Sequence, residues 1–240
     1  MQPVVGEAIS DRQVVAVLRP IVRASGPVLH ALRTPGRLEG LASVRVPGSA
    51  AWEAMDRDGH IDWWVNRLGR LTSLVTSIPG LGGVLADRLP VQDALGTAAQ
   101  ALLLTAIAEE HGIADIGEKV RLVAWVLFQR DIDAALAAGK HEEYSTADED
   151  AETAKLAGEF SQVEHRPRRI TLKSAGKTLW RMGRSLMAIT DELEKRPHGR
   201  FYHRAVGMLP VVGLVGDYLG ERSGLKRVVR RADEWFARAA

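Results

Sequence analysis

Apolar residues recur at intervals of three and four along most of the chain, the spacing of one face of an α-helix. Val14, Val17, Leu18, Ile21 and Val22 form the first such face, which Pro20 is expected to kink or end. Residues 34–48 break the pattern with Pro35, Gly36, Gly40, Pro47 and Gly48 and read as a loop. A helix follows from about Ser49, interrupted at Asp58-Gly59, and carries Trp63, Trp64, Leu68, Leu71 and Val75 to Ser77. Val91 to Glu110 is a long Ala-rich helix with Leu102, Leu103, Leu104 and Ile107 inside and Gly112 as its stop. Asp115 and Glu118 have capping-box spacing and open a helix carrying Val120, Val123, Ala124, Leu127 and Phe128. The most regular stretch is Leu172, Ala175, Leu179, Met182, Leu186, Ile189 and Leu193, a heptad seam that stops before Pro197. A short helix is expected from about Arg200. The chain closes with Leu225, Val228, Val229, Ala232, Trp235 and Phe236 on one helical face. The only β-branched alternation, Val44-Arg45-Val46, is too short for a strand. The pattern predicts an all-α protein, a multi-helix bundle of about 9–11 helices.

Two helix starts look like copies of one element. Ile78-Pro79-Gly80-Leu81-Gly82-Gly83-Val84 leads into Asp87-Arg88-Leu89, and Leu209-Pro210-Val211-Val212-Gly213-Leu214-Val215 leads into Gly216-Asp217-Tyr218-Leu219. Proline suits the first turn of a helix because its missing N–H would be unpaired there anyway. Glycine just inside lets a second backbone come close. Pro79, Gly80, Gly82 and Asp93 in the first half, and Pro210, Gly213 and Gly216 in the second, are therefore read as structural helix starts.

Charge divides the chain. The net charge of +2 is made of about −1 over residues 1–141, about −7 over 142–164 and about +10 over 165–240. This suggests an N-terminal helix and loop (1–48), a first helical half (49–141), an acidic linker or marginal helix (142–164), and a basic second half (165–240) joined to the first in one domain. The acidic block holds Glu142, Glu143, Asp148, Glu149, Asp150, Glu152, Glu159 and Glu164. The basic run after it holds Arg166, Arg168, Arg169, Lys173, Lys177, Arg181 and Arg184. With 240 residues the chain can bury a real core, and with no cysteine it has no disulfide, thiolate metal site or thiol nucleophile. The N-terminus shows no basic-then-apolar secretory pattern, and no stretch holds the roughly 18–20 apolar residues of a spanning helix. Ala94 to Ala108 comes nearest, bracketed by Asp93 and Glu109.

Signatures of catalysis are missing. There is no Gly-x-Ser-x-Gly elbow, no phosphate loop and no His-Glu-x-x-His pair. His198 and His203 are five apart, about 140° around a helix, which suits a shared metal poorly. His111 stands where a protonated imidazole would cap a helix C-terminus, and Asp93 where it would cap the following helix. An enzyme would need Asp87, Asp93, His111 or His203 to converge in a cleft. No metal and no cofactor is expected. Gly216, Gly220 and Gly224 line one face and read as a close helix contact, since Asp217, Glu221 and Arg222 do not fit a bilayer interior. The last helix is the best candidate for a working surface. Trp235 and Phe236 share its apolar side, with Lys226, Arg227, Arg230, Arg231 and Arg238 on or near the other. Such a helix can lie on an anionic membrane or a membrane-associated partner, or it can cover its own core. Nucleic acid is disfavoured, because no reader motif is present and the aromatics are not interleaved as stacking platforms.

Taken together, Ile78-Pro79-Gly80, Asp93, the Ala/Leu helix, His111-Gly112, Glu118 and Val120 to Phe128 resemble the first half of EcsC-family proteins. Arg204, Leu209-Pro210-Val211-Val212-Gly213, Gly216 and Trp235-Phe236 resemble the second half. His111 departs from the pattern, where the family has Tyr. The resemblance spans about residues 60–130 and 170–240. It implies a helical, soluble or peripherally membrane-associated protein with no established catalytic residues. The reading is a non-enzymatic cytoplasmic protein, peripheral on the inner face of the plasma membrane or bound to a partner there. A carrier of a lipid or other apolar ligand is the alternative. The heptad seam also allows self-association.

Overall fold

A computed structural model describes residues 9–34, 47, 49–76, 91–162, 171–194 and 216–239. Among them the chain forms nine α-helices, one 3-10 turn and no strand. The helices are α1 (Asp11–Arg33), α2 (Ala50–Glu53), α3 (Arg57–Thr76), α4 (Val91–Glu110) and α5 (Ile116–Phe128). They continue with α6 (Ala134–Ala137), α7 (Thr146–Ala157), the 3-10 turn Gly158–Gln162, α8 (Leu172–Glu194) and α9 (Gly216–Ala239). The all-α bundle read from the sequence is the observed fold. The loop expected over 34–48 and the short helix expected from Arg200 fall almost wholly outside the described residues. So do Pro79, Gly80, Gly82, Pro210 and Gly213.

Helix α4 is the axis. Leu95, Leu102, Leu103, Leu104 and Ile107 are buried together with Ala94, Ala98, Ala99, Ala101, Ala106 and Ala108. Helices α1, α3, α5, α8 and α9 all pack on it. A helix apolar all round must be enclosed all round, and alanines allow close neighbours. The closest is α8, where a Cβ added to Gly183 would overlap the Ala94 carbonyl. The heptad seam of α8 is spent on this contact: Ala175, Leu179, Met182, Leu186 and Ile189 are buried.

Helix α1 continues through Pro20 and Pro27 to Arg33, so of the kink or end the sequence suggested at Pro20, the end does not occur. Each internal proline costs about 3 kcal/mol. Against that, Val14, Leu18, Ile21, Val22, Val28, Leu29 and Leu32 are buried, each gaining about 1.5–3 kcal/mol. Tertiary burial wins. Ser10 and Gln13 form a capping box at the start. At the end, Arg67 of α3 donates from Nε (3.2 Å) and Nη2 (2.9 Å) to the Leu32 carbonyl, one of the orphan acceptors of the last turn. Helix α1 is also the one described helix long and apolar enough to cross a membrane by length and composition, with a mean hydropathy of 1.2, a window the sequence reading did not single out. Two-thirds of that window is buried inside the bundle.

The interruption after Ser49 comes at Ala54–Asp56, ahead of the Asp58-Gly59 pair. Asp56 is the reason: its Oδ1 accepts from the Gly59 N–H at 2.8 Å and caps α3. Gly112 ends α4 with φ +77°, and Asp115 caps α5 through the Glu118 N–H.

The acidic segment contains a helix with a firm seat. Ser145 caps α7, and Leu156, Ala157 and Phe160 enter the core. Glu149, 7% exposed, meets Arg19 of α1, 8% exposed. Arg19 Nε donates to its Oε2 at 2.6 Å and Arg23 to its Oε1 at 2.9 Å. Arg19 also donates to the Ala137 carbonyl at 2.6 Å. Burial alone would raise the Glu149 carboxyl, but the hydrogen bonds from Arg19 and Arg23 outweigh it and hold it below the ordinary value. Deleting one partner of such a pair strands a buried charge, at about 3–5 kcal/mol.

Candidate functional site

The last helix turns its aromatic side inward. Leu225, Val228 and Ala232 are buried against α3, α4 and α5, and Trp235 and Phe236 extend the same face, half-buried. The Phe236 ring stacks on His111 at 3.7 Å with 4° between planes, and Trp235 meets Phe236 edge-on at 5.1 Å. Two of the helix's cations are also engaged with the bundle. Arg231 Nη1 donates to the Val126 carbonyl at 3.0 Å, and the Arg238 guanidinium lies 5.3 Å above the Trp125 ring. Lys226 and Arg230 remain exposed, and Arg227 is half-buried. Asp233, on the flank near His111 and Asp58, and Glu234 are exposed too, so the exposed part of this helix carries both signs.

His111, one residue past α4, is part of this seat. Burial lowers its pKa, the nearby Arg57 adds to the effect, and Asp233, Asp58 and Glu110 oppose it. Its stacked ring is a flat apolar surface for Phe236, where the sequence suggested a cationic cap. Asp233, across from it, is raised by burial and by Asp58.

Beside His111 lies a polar cluster that the sequence reading did not identify. Glu110 accepts from Trp64 Nε1 at 3.0 Å and Arg33 Nη2 at 3.3 Å, and pairs with His60 Nδ1 at 3.0 Å. Glu109 binds Arg33 at 3.0 Å and the buried Lys119 at 3.1 Å. His60 Nε2 reaches the Trp52 carbonyl at 3.2 Å, and the His60 and Trp52 rings stack at 4.1 Å. Trp63 closes edge-on against both Trp52 and Trp64. Five of the six tryptophans thus lie in or next to this end of the bundle. Both ring nitrogens of His60 and both oxygens of Glu110 are committed to protein partners. The cluster ties α1, α2, α3 and α4 together. The His60/Trp64 spacing of four was its only signal in the sequence; the partners Arg33 and Glu110 are remote.

The residues considered for catalysis are not brought together among the described residues. Asp87 and His203 lie outside them, Asp93 stands in the first turn of α4, and His111 is covered by Phe236. Gly216 opens α9. No group of three or more His, Asp or Glu able to hold a metal occurs among the described residues.

Helix α8 presents the opposite case. It carries four cations between Leu172 and Ile189, with the acids Asp191, Glu192 and Glu194 confined to its end. Lys173, Lys177 and Arg184 are exposed, and Trp180 between them is half-buried. Arg181 is directed elsewhere: it donates from Nη2 to the Thr178 hydroxyl at 3.1 Å and lies against Gly158.

No family model matches this chain. No curated protein and no solved structure is significantly similar to it.

Proposed function

We propose that this is a non-enzymatic helical protein that acts at an anionic membrane surface, the cytoplasmic face of the plasma membrane in the EcsC-like reading, or on a partner held there. One observation carries the reading. The strongly basic second part of the chain contributes two long helices, α8 and α9, packed on the same pair, α3 and α4. The exposed cations of these helices, Lys173, Lys177 and Arg184 on α8 and Lys226 and Arg230 on α9, are therefore held on a rigid scaffold. Each basic side chain near an anionic bilayer contributes about 1 kcal/mol, so a few held in place suffice for reversible binding.

The carrier alternative needs space between small-residue helices. At the described junction of that kind, Gly183 against Ala94, the two backbones are in contact.

Flotation of the full chain tests the proposal. Vesicles with a third anionic lipid should carry it upward at about physiological salt, while zwitterionic vesicles and high salt should not. Native membranes bound before but not after protease treatment would point to a protein partner. No association with either would remove the proposal.

A further inference from the structure

The geometry points to the outward face of α8, with Lys173, Lys177 and Arg184 around Trp180, as the surface that meets an anionic phospholipid bilayer. This rests on the membrane reading above and names its contact site.

On a helix of 100° per residue, positions 173, 177, 180 and 184 fall within a sector of about 60° and span about 16 Å of axis. The buried seam of α8, from Ala175 through Leu179, Met182 and Leu186 to Ile189, lies on the other side. The sector therefore faces away from α4. Among the described residues no hydrogen bond or ion pair occupies Lys173, Lys177 or Arg184. Each stays solvated until a partner arrives, and each is long enough to keep its charge at the headgroups while its methylenes lie flat.

Trp180 decides the kind of partner. A half-buried indole amid three cations places an apolar body and one N–H at the level where bilayer headgroups meet acyl chains. A single-stranded nucleic acid would call for successive stacking rings along the groove, and α8 has one. An acid-bearing protein would not need the ring. The complementary surface is negative, broad, and apolar just beneath.

Helix α9 lacks this arrangement. Its aromatics are engaged in ring contacts, Phe236 on His111 and Trp235 on Phe236, and its exposed residues mix Lys226 and Arg230 with Asp233 and Glu234. It stays docked when α8 binds.

The test is partition of the full chain into phosphatidylglycerol/phosphatidylcholine vesicles. Lys173→Gln, Lys177→Gln and Arg184→Gln combined should weaken binding on the order of a hundredfold, about fivefold per charge. Lys226→Gln with Arg230→Gln should change it by less than about threefold, being a face of balanced sign. Circular dichroism and melting should match the wild type in both, since all five side chains are exposed. Wild-type binding that survives the α8 triple change within threefold would overturn this assignment and leave the membrane reading standing. Failure of the wild type to bind any anionic vesicle, with or without retention by an oligonucleotide, would overturn both.

Discussion

Helices α8 and α9 are both long, basic, amphipathic and equipped with tryptophan, yet the fold uses them in opposite senses. In α9 the rings are on the side of Leu225, Val228 and Ala232, so burying the core buries them. In α8 the ring is on the side of Lys173, Lys177 and Arg184, where it is half-buried at the edge of the core with three exposed cations around it. The angular relation between aromatic and apolar seam decides this. Basic composition alone does not distinguish a helix that can touch a membrane from one that is already satisfied.

The contrast can be broken most forcefully at the seat of α8. Gly183→Val pushes a side chain into the Ala94 carbonyl, and overpacking of this kind costs about 3 kcal/mol. Thermal melting should fall by several degrees, and membrane binding should weaken because the basic face loses its fixed direction.

Phe236→Ala is the matching change in α9. A fully buried Phe→Ala costs about 3–5 kcal/mol and Phe236 is only half-buried, so about 2 kcal/mol is expected. Hydrogen exchange should rise over residues 225–239 and spare α8. A loss of protection spread evenly over both helices would show that they are not independently seated.

Acidification should sharpen the same division. The docked pKa of His111 is depressed, so its contribution is complete above the ordinary 6.5 and is lost as pH falls through the docked value. Between pH 7 and pH 5 the end of α9 should loosen, and His111→Phe should remove that step. At lower pH Glu149 follows the same sign. Its depressed carboxyl supports α7 above the ordinary 4.5, and that support disappears as pH falls through the folded value.

The smallest effect expected is on stability in the α8 glutamine variants, within about 0.5 kcal/mol of wild type by denaturant melting. A larger loss would mean that this face packs against the protein and has no free role.

Much of this was legible in the chain, and the exceptions share a cause. The seam of α8, the cap at Asp115 and the stop at Gly112 follow from local spacing and turn chemistry. Pro20 does not end α1 because its local cost is overruled by side chains that α1 buries against remote helices. Segment 142–164 suggested a linker or a marginal helix, and not a firmly seated one, because Glu149 looks like one more acid until Arg19, 130 positions away, is placed beside it. The same holds for Glu110, whose donors Arg33, His60 and Trp64 come from two other helices. The face around Trp180 was readable as spacing. Its outward direction followed only once the heptad seam was seen to pack on α4. The aromatic side of α9 was readable as one face, and its own core as one of the surfaces it could cover; which helices cover it, α3, α4 and α5, was not.

The most direct test is quenching of tryptophan emission by anionic vesicles with brominated acyl chains. The account predicts quenching in the wild type that is abolished by Trp180→Phe and preserved in Trp235→Phe. Quenching that survives Trp180→Phe and disappears with Trp235→Phe would contradict it, and would place α9 at the membrane.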